Sequence, residues 1–203
     1  MSVQDVTLNP KILESATKEF LDKGFLNASV KEICEKAGVT TGALYKRYKG
    51  KAELFDAVVE PIYQKLDELG ADKLTKSVDL MDDDDLTKMW DNPEQSYISQ
   101  TNFFYDNYLG MKLLLSCSEG TKHSNFFDNF VKKNTEIVYE FSKEVFKRGL
   151  SDKLIDEDIL HMLLSAYWSS LFEPIIHGYS KEKAISASKI LANFFDWKNA
   201  LGY

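Results

Sequence analysis

Cysteine, proline and glycine are all scarce in this chain of 203 residues, with two, four and ten of them respectively. Cys34 and Cys117 lie far apart in unrelated contexts, which excludes a disulfide framework, and no CxxC or Cys/His spacing suited to a metal is present. A reducing, cytoplasmic setting fits such a chain. So few helix breakers, with no run of alternating β-branched residues, argue against a sheet and predict an all-α protein. The opening residues, MSVQDVTLNPKIL, carry an acid and no apolar core, so no secretory signal is expected. Long apolar runs are missing too. Ile159–Ile176 is interrupted by Ser165, Ser169, Ser170 and Glu173, and no membrane-spanning segment is expected. There is no Gly-rich phosphate loop and no nucleophile elbow. His123, His161 and His177 have no ligand at metal spacing, and Pro174 intervenes between Glu173 and His177. An enzyme, a cofactor and a bound metal are therefore not expected.

Positive charge is in short supply overall, the formal net charge being −7, but it is unevenly spread. Residues 1–66 hold ten Lys/Arg against nine Asp/Glu, and residues 67–203 hold fifteen against twenty-three. Within 23–51 the bases Lys23, Lys31, Lys36, Lys46, Arg47, Lys49 and Lys51 face only Glu32 and Glu35, a local balance of +5. An electrostatic footprint is a local patch, so the acidic total does not exclude a nucleic-acid partner.

Asn9-Pro10 supplies an N-cap and a first-turn proline for a helix with the stripe Ile12, Leu13, Ala16, Phe20 and Leu21, and Gly24 stops it. Ser29-Val30-Lys31-Glu32 is a capping box that opens a short helix ending at Gly38. Thr40 opens another, closed by Gly50. A fourth runs from Lys51 to about Gly70, with a kink or break expected at Pro61. Further on, Asp82–Asp85 reads as a solvated turn and helix start, and Asn92-Pro93 opens a helix to about Gly110. Met111–Ser116 is a short apolar segment, and a long helix runs from near Ser124 to Arg148 with Gly149 as its stop. Asp156 caps an apolar helix that reaches Gly178 with a kink at Pro174, and Ser180 caps a last one to about Ala200.

Residues 29–55 read SVKEICEKAGVTTGALYKRYKGKAELF. Two short capped helices flank the tight turn Ala37-Gly38-Val39, the helix-turn-helix layout. A plain helical hairpin has the same outline, and Ile33 and Leu44 read as core. Packing alone does not ask for an exposed Thr40-Thr41-Gly42 or for the cluster Tyr45, Lys46, Arg47 and Tyr48, whose hydroxyls and cations suit phosphate oxygens. The run A-G-V-T-x-G-x-L-Y, followed by an aromatic and K-x-x-L, resembles the TetR family over about the first 60 residues. That resemblance implies a three-helix DNA-binding head over residues 6–66, whose second motif helix enters the major groove. It also implies a helical ligand-binding and dimerisation domain over 67–203, joined to the head through the fourth helix. Carried over by position, Thr40 and Thr41 start the recognition helix, and Gly42 and Ala43 approach bases. Tyr45 touches phosphate, Ser29 caps the preceding helix beside the DNA backbone, and Lys51 binds phosphate. Two departures stand out: Cys34 occupies a position that is usually alanine, and Arg47 one where histidine is frequent.

Aromatic residues number 20 after Leu66 and 6 before it. Helical stripes of aromatics make ordinary core, and a bundle interior with several Tyr and Trp also makes an apolar pocket with polar handles. The residues singled out for such a pocket are Trp90, Tyr97, Phe104, Tyr105, Tyr108, Phe127, Tyr139 and Trp168. In the helix after Asp156, apolar residues recur in pairs every fourth position from Ile159-Leu160 to Ile175-Ile176. The last helix carries the small-residue stripe Ala184, Ala187 and Ser188 with Leu191 and Phe195. An internal core accounts for one such face; the resemblance implies a homodimer through these two helices. It further implies a repressor released from a pseudo-palindromic operator by a small, largely apolar effector, with the fourth helix as the covalent route between pocket and head. The alternative is the same DNA-binding head controlled by a protein partner.

Overall fold

Helices make up every regular element in the described residues, which are 8–74, 78–88, 91 and 93–202 of a computed structural model. In chain order they are α1 (Leu8–Asn27), α2 (Val30–Ala37), α3 (Thr41–Tyr45), α4 (Lys51–Leu74), a 3-10 turn (Val78–Leu80), α5 (Asp83–Lys88) and α6 (Pro93–Asp106). There follow α7 (Tyr108–Ser116), α8 (Phe126–Lys147), α9 (Glu157–Ile176), α10 (Lys181–Phe194) and α11 (Trp197–Leu201). The all-α class is as the sequence predicts. Asn92 and Trp90 lie outside the described residues, so the cap expected at Asn92 does too.

Several boundaries differ from expectation for identifiable reasons. The chain turns at Gly24 (φ 69°, ψ 167°) inside the span of α1, a conformation that glycine alone adopts at little cost. Helix α3 ends at Tyr45 rather than at Gly50, which leaves Arg47 and Tyr48 in the turn that follows. Helix α4 does not break at Pro61. Leu54, Phe55, Val59 and Ile62 are buried along one face while Pro61 is exposed, so the packing of that face outweighs the proline penalty of about 3 kcal/mol. The helix expected to reach Gly110 stops instead at Asp106, because Asn107 leaves helical geometry (φ −119°, ψ 29°). Helix α9 likewise continues through Pro174, which is buried. The last helix is two: α10 gives way at Phe195 (φ −98°, ψ 86°), and the Asp196 side chain accepts the Asn199 N–H to start α11.

The chain packs as two compact units. The first comprises residues up to Asp67 together with Asn107–Phe126, a stretch that sequence order places with the second half. Its core joins Ile12, Ala16 and Phe20 of α1 to Ile33, Leu44, Leu54, Phe55 and Val59, with Met111, Leu113 and Leu114 of α7. Phe55 meets Phe20 and Phe25 edge-on, with ring centroids 5.0 and 5.5 Å apart. The fourth helix is therefore not the single covalent route between the units, since the chain also passes at Asp106/Asn107 and at Phe126/Phe127.

The second unit is built on an aromatic interior. Phe104, Phe130 and Phe172 surround Trp168 at centroid distances of 6.3, 4.8 and 6.0 Å. Arg148 fastens the 3-10 turn and α5 to α8, donating to Glu144 and to the carbonyls of Val78, Asp79 and Met81 above the buried Leu86, Phe141 and Val145. By length and composition α9 could cross a membrane (20 residues, mean hydropathy 1.2). In this unit Leu160, Leu164, Trp168, Leu171, Phe172 and Ile175 bury it as a core helix.

Gly110 shows how tightly the first unit is packed. It sits inside α7, and a Cβ there would stand 2.9 Å from Cβ of Ile62. Alanine favours a helix over glycine by about 1 kcal/mol, whereas forcing a carbon into a full core costs about 1–3 kcal/mol. Gly110→Ala is therefore expected to lower the thermal midpoint; a raised midpoint would show that the core yields there at no cost.

Candidate nucleic-acid interface

The helix-turn-helix is closed by its own side chains. Ser29 Oγ accepts the Glu32 N–H (3.4 Å), and Thr40 Oγ1 accepts the Ala43 N–H (3.1 Å). Between the two helices Gly38 adopts the left-handed conformation (φ 68°, ψ 33°) and its N–H reaches the carbonyls of Cys34 and Glu35. Cys34 is packing: burial pushes its thiol pKa up, as it does that of Cys117, the reverse of what a reactive thiolate needs.

Leu44 is fully buried and anchors α3, while Thr40, Thr41, Gly42, Tyr45 and Lys46 are exposed and Ala43 is half-buried. The short helix thus turns its polar N-terminal edge and the Tyr45-Lys46 end outward. Arg47 is committed differently: its Nε donates to Asn9 Oδ1 (2.8 Å) and its Nη1 to the Ala43 carbonyl (3.0 Å). Tyr48 is half-buried, and burial raises its phenol pKa. Lys51 Nζ donates to the carbonyls of Leu26 and Ala28, both at 3.0 Å, and lies 4.7 Å from the Phe25 ring centroid. It closes the open end of α1 as well as starting α4.

Sequence reading missed the buried charge beneath this motif. Glu19 is fully buried; its carboxylate accepts from Lys36 Nζ (2.6 Å) and the Ser29 N–H (3.2 Å), with Lys23 Nζ at 3.0 Å. Lys23 is shared with Glu32 at 2.6 Å. Burial raises the Glu19 pKa, but the hydrogen bonds from Lys36, Lys23 and Ser29 outweigh it and hold the group down to about 2. The available signal was an acid at position 19 beside Ala16, Phe20 and Lys23 on one helical face.

Of the residues singled out for a pocket, the second unit brings Tyr97, Phe104 and Trp168 together in its buried core. Tyr97 packs on Tyr167 (5.0 Å), Tyr167 on Trp168 (4.9 Å), and Phe127 on Phe172 (6.2 Å). Tyr167 donates to Gln100 Oε1 (2.6 Å). Trp168 Nε1 and the Tyr97 hydroxyl make no hydrogen bond of good geometry, although Trp197 faces the latter. Tyr105 instead reaches the Tyr179 carbonyl (2.8 Å), and Tyr139 lies under the Lys143 ammonium (5.1 Å). Tyr108 falls in the first unit, apart from the others. His177 Nε2 lies 2.8 Å from Glu173 Oε2, with both side chains exposed.

A small capped hairpin with an exposed polar helix, carried on the core of the first unit, has the layout of a helix-turn-helix. The family model described as "Bacterial regulatory proteins, tetR family" matches residues 12–58. Over that segment the chain is similar to the TetR family. It is 33% identical over 72 residues to the probable HTH-type transcriptional regulator ArpR of Pseudomonas putida (36% of this chain, 33% of that one). It is 36% identical over 59 residues to the HTH-type transcriptional regulator TtgR of the same species (29% and 28%). The chain thus aligns over about a third of the length of these curated relatives. The fold extends further. MexZ, a key repressor responsible for antibiotic resistance in Pseudomonas aeruginosa, superposes with a TM-score of 0.63 at 15% identity, covering 97% of this chain and 96% of that one. FadR of Bacillus subtilis, solved with stearoyl-CoA, gives 0.57 at 12% identity, covering 92% and 96%.

The buried Glu19 generates a test of the scaffold. Its folded pKa lies below the ordinary carboxylate value of 4.5, so its stabilisation is complete above that pH and is lost as pH falls toward 2. Glu19→Gln is expected to cost about 2 kcal/mol at neutral pH, below the usual range for a broken buried pair because the freed lysines can turn to water. Denaturant titrations from pH 7 down to 3 should show a flatter acid limb for the variant. Parallel limbs would assign the acid loss to other groups.

Proposed function

We propose that this protein is a sequence-specific DNA-binding transcriptional regulator, a homodimeric repressor released from its operator by a small, largely apolar molecule held in the second unit. The observation that carries the DNA reading is the outward edge of α3: Thr40, Thr41 and Gly42 stand exposed on a helix pinned by the buried Leu44, within the locally basic window 23–51. Thr41, Gly42 and Ala43 approach base edges in the major groove. Ser29, Tyr45 and Lys46 bind phosphates, and Arg47 and Tyr48 back them from the following turn. Lys51 has two carbonyl partners, and its ammonium has one more proton to give to a phosphate.

The contact set yields separable effects. Thr41→Ala should relax sequence preference at one or two positions, costing about 1–3 kcal/mol of discrimination. Lys46→Ala should weaken binding evenly across sequences and lower the salt slope by about one unit per head. Lys46 is the cleaner choice for this test, since Lys51→Ala also uncovers two carbonyls at the end of α1. Selection of bound DNA from a random pool, followed by titration at several salt concentrations, checks both; equal effects on random DNA would reject the division into reading and positioning residues.

The dimer reading rests on apolar side chains left in the open on α9 and α10: Ile159 and Met162 are 50% and 62% exposed, Ile190 and Phe194 71% and 78%. Side chains of that size are normally covered, and a two-fold copy covers them symmetrically. Sedimentation should give about twice the chain mass of 23.2 kDa, and Ile190→Glu with Phe194→Glu should return the monomer. A wild-type monomer at micromolar concentration would exclude the dimer.

The effector reading is supported by the Trp168 Nε1 group, buried without a hydrogen-bond partner inside the aromatic core that also holds Tyr97, Phe104 and Phe127. FadR of Bacillus subtilis, similar in fold and solved with stearoyl-CoA, points the same way. To release DNA, the effector must prefer the state unable to reach both half-sites; a coupling of about 1–3 kcal/mol shifts operator affinity roughly 5- to 150-fold.

A further inference from the structure

The segment after α7 closes on both helices that frame the DNA head, and His123, with Lys122 beside it, makes polar contacts with α4. The ring is about nine-tenths buried. Its Nε2 lies 2.8 Å from Asp56 Oδ1 and its Nδ1 2.9 Å from the Tyr63 hydroxyl. In the neutral ring Nε2–H donates to the carboxylate and Nδ1 accepts from the phenol. Asp56 and Tyr63 stand seven residues apart on α4, two turns along one face, so a single imidazole fixes both the height and the rotation of that helix. Lys122 Nζ takes the other Asp56 oxygen (2.8 Å). Burial raises the Asp56 pKa, but the bonds from Lys122 and His123 outweigh it and leave the group below its usual range.

The loop that presents His123 is itself held. Ser118 Oγ donates toward the carbonyls of Leu114 (2.8 Å) and His123 (3.2 Å), and Thr121 Oγ1 accepts the His123 N–H (3.0 Å). The same loop grips the tail of α1: Phe25 N–H donates to the Cys117 carbonyl (2.9 Å), and Leu26 fills the space that a side chain on Gly120 would need. That tail leads directly into Ser29, the cap of α2. Residues beside the three chain passages between the units are also fastened to one another inside the first unit. Lys65 Nζ donates to Asn107 Oδ1 (2.6 Å), Ile62 seats Gly110, and Tyr63 meets Phe126 edge-on (5.9 Å).

We propose that His123 is a positioning residue for operator binding: by bridging Asp56 and Tyr63 it sets where α4, and with it the helix-turn-helix, is held, without touching DNA. This rests on the DNA-binding reading above. Buried polar ties of this kind add little net stability beside an apolar contact, but they are directional and specify one placement of α4 over its neighbours. A head that is sound but misplaced grips one half-site normally and fails to reach two together.

The test compares the full operator with a duplex carrying a single half-site, using the selected wild-type sequence and the full-length chain. His123→Leu is expected to lower full-operator affinity about tenfold, within the usual range of coupling between sites. Half-site affinity and salt slope should change less than about twofold, because no phosphate contact is lost. His123→Gln, which keeps a donor toward Asp56, should recover part of the loss, and Tyr63→Phe should show a smaller loss of the same kind. Should His123→Leu melt before it can be assayed, Asp56→Asn gives the same ratio. Equal losses on full and half sites, or wild-type affinity for the full operator, would overturn the proposal. Wild-type protein that selects no palindrome from the pool would instead reject the DNA-binding reading before any variant is measured.

Discussion

The Glu19 carboxylate, wholly covered by protein, decides where the second helix of the motif begins. It accepts the backbone N–H of Ser29 while holding Lys23 and Lys36. A charge in that position is tolerable only when its oxygens are filled, and filling them places the N-terminus of α2 against α1. Ser29 can then turn its hydroxyl to the Glu32 N–H, and the left-handed Gly38 delivers the chain to Thr40. The outward face of α3 follows from these constraints, because Leu44 has one apolar hole to enter and Thr41 and Tyr45 lie away from it.

The fold was legible wherever its causes are local. Side-chain caps at Ser29, Thr40, Asp156 and Ser180 formed as the spacing predicts, because an N-cap needs only residues within one turn. Where a single residue was read as punctuation, tertiary packing overrode it. Pro61 and Pro174 sit inside continuous helices whose apolar faces are held on both sides of the proline, and Gly110 serves Ile62 rather than ending a helix. Asp196, an ordinary cap, was hidden inside a run of helix formers.

The site was legible in its exposed half only. Thr40, Thr41, Gly42, Tyr45 and Lys46 are exposed as expected, but the commitments of Arg47 to Asn9 and of Lys51 to the end of α1 join residues 38 and 25 positions apart. No local pattern announces such pairs. The contact of His123 with Asp56 is more remote still, across 67 positions. In the second unit, aromatic content marked a core without separating lining from filling: Tyr97 and Trp168 are buried in it, whereas Tyr105 and Tyr139 are spent on contacts elsewhere.

The first unit is completed by residues far along the chain, since α7 packs on α1 and contributes Met111, Leu113 and Leu114 to its core. A unit built this way is not a contiguous cassette. Recombination that joined the first 66 residues to a foreign body would leave an apolar wall without its cover. A workable chimaera has to inherit two separate stretches of gene, and a lineage exchanging bodies by simple fusion must keep the α7 segment or evolve a substitute for it.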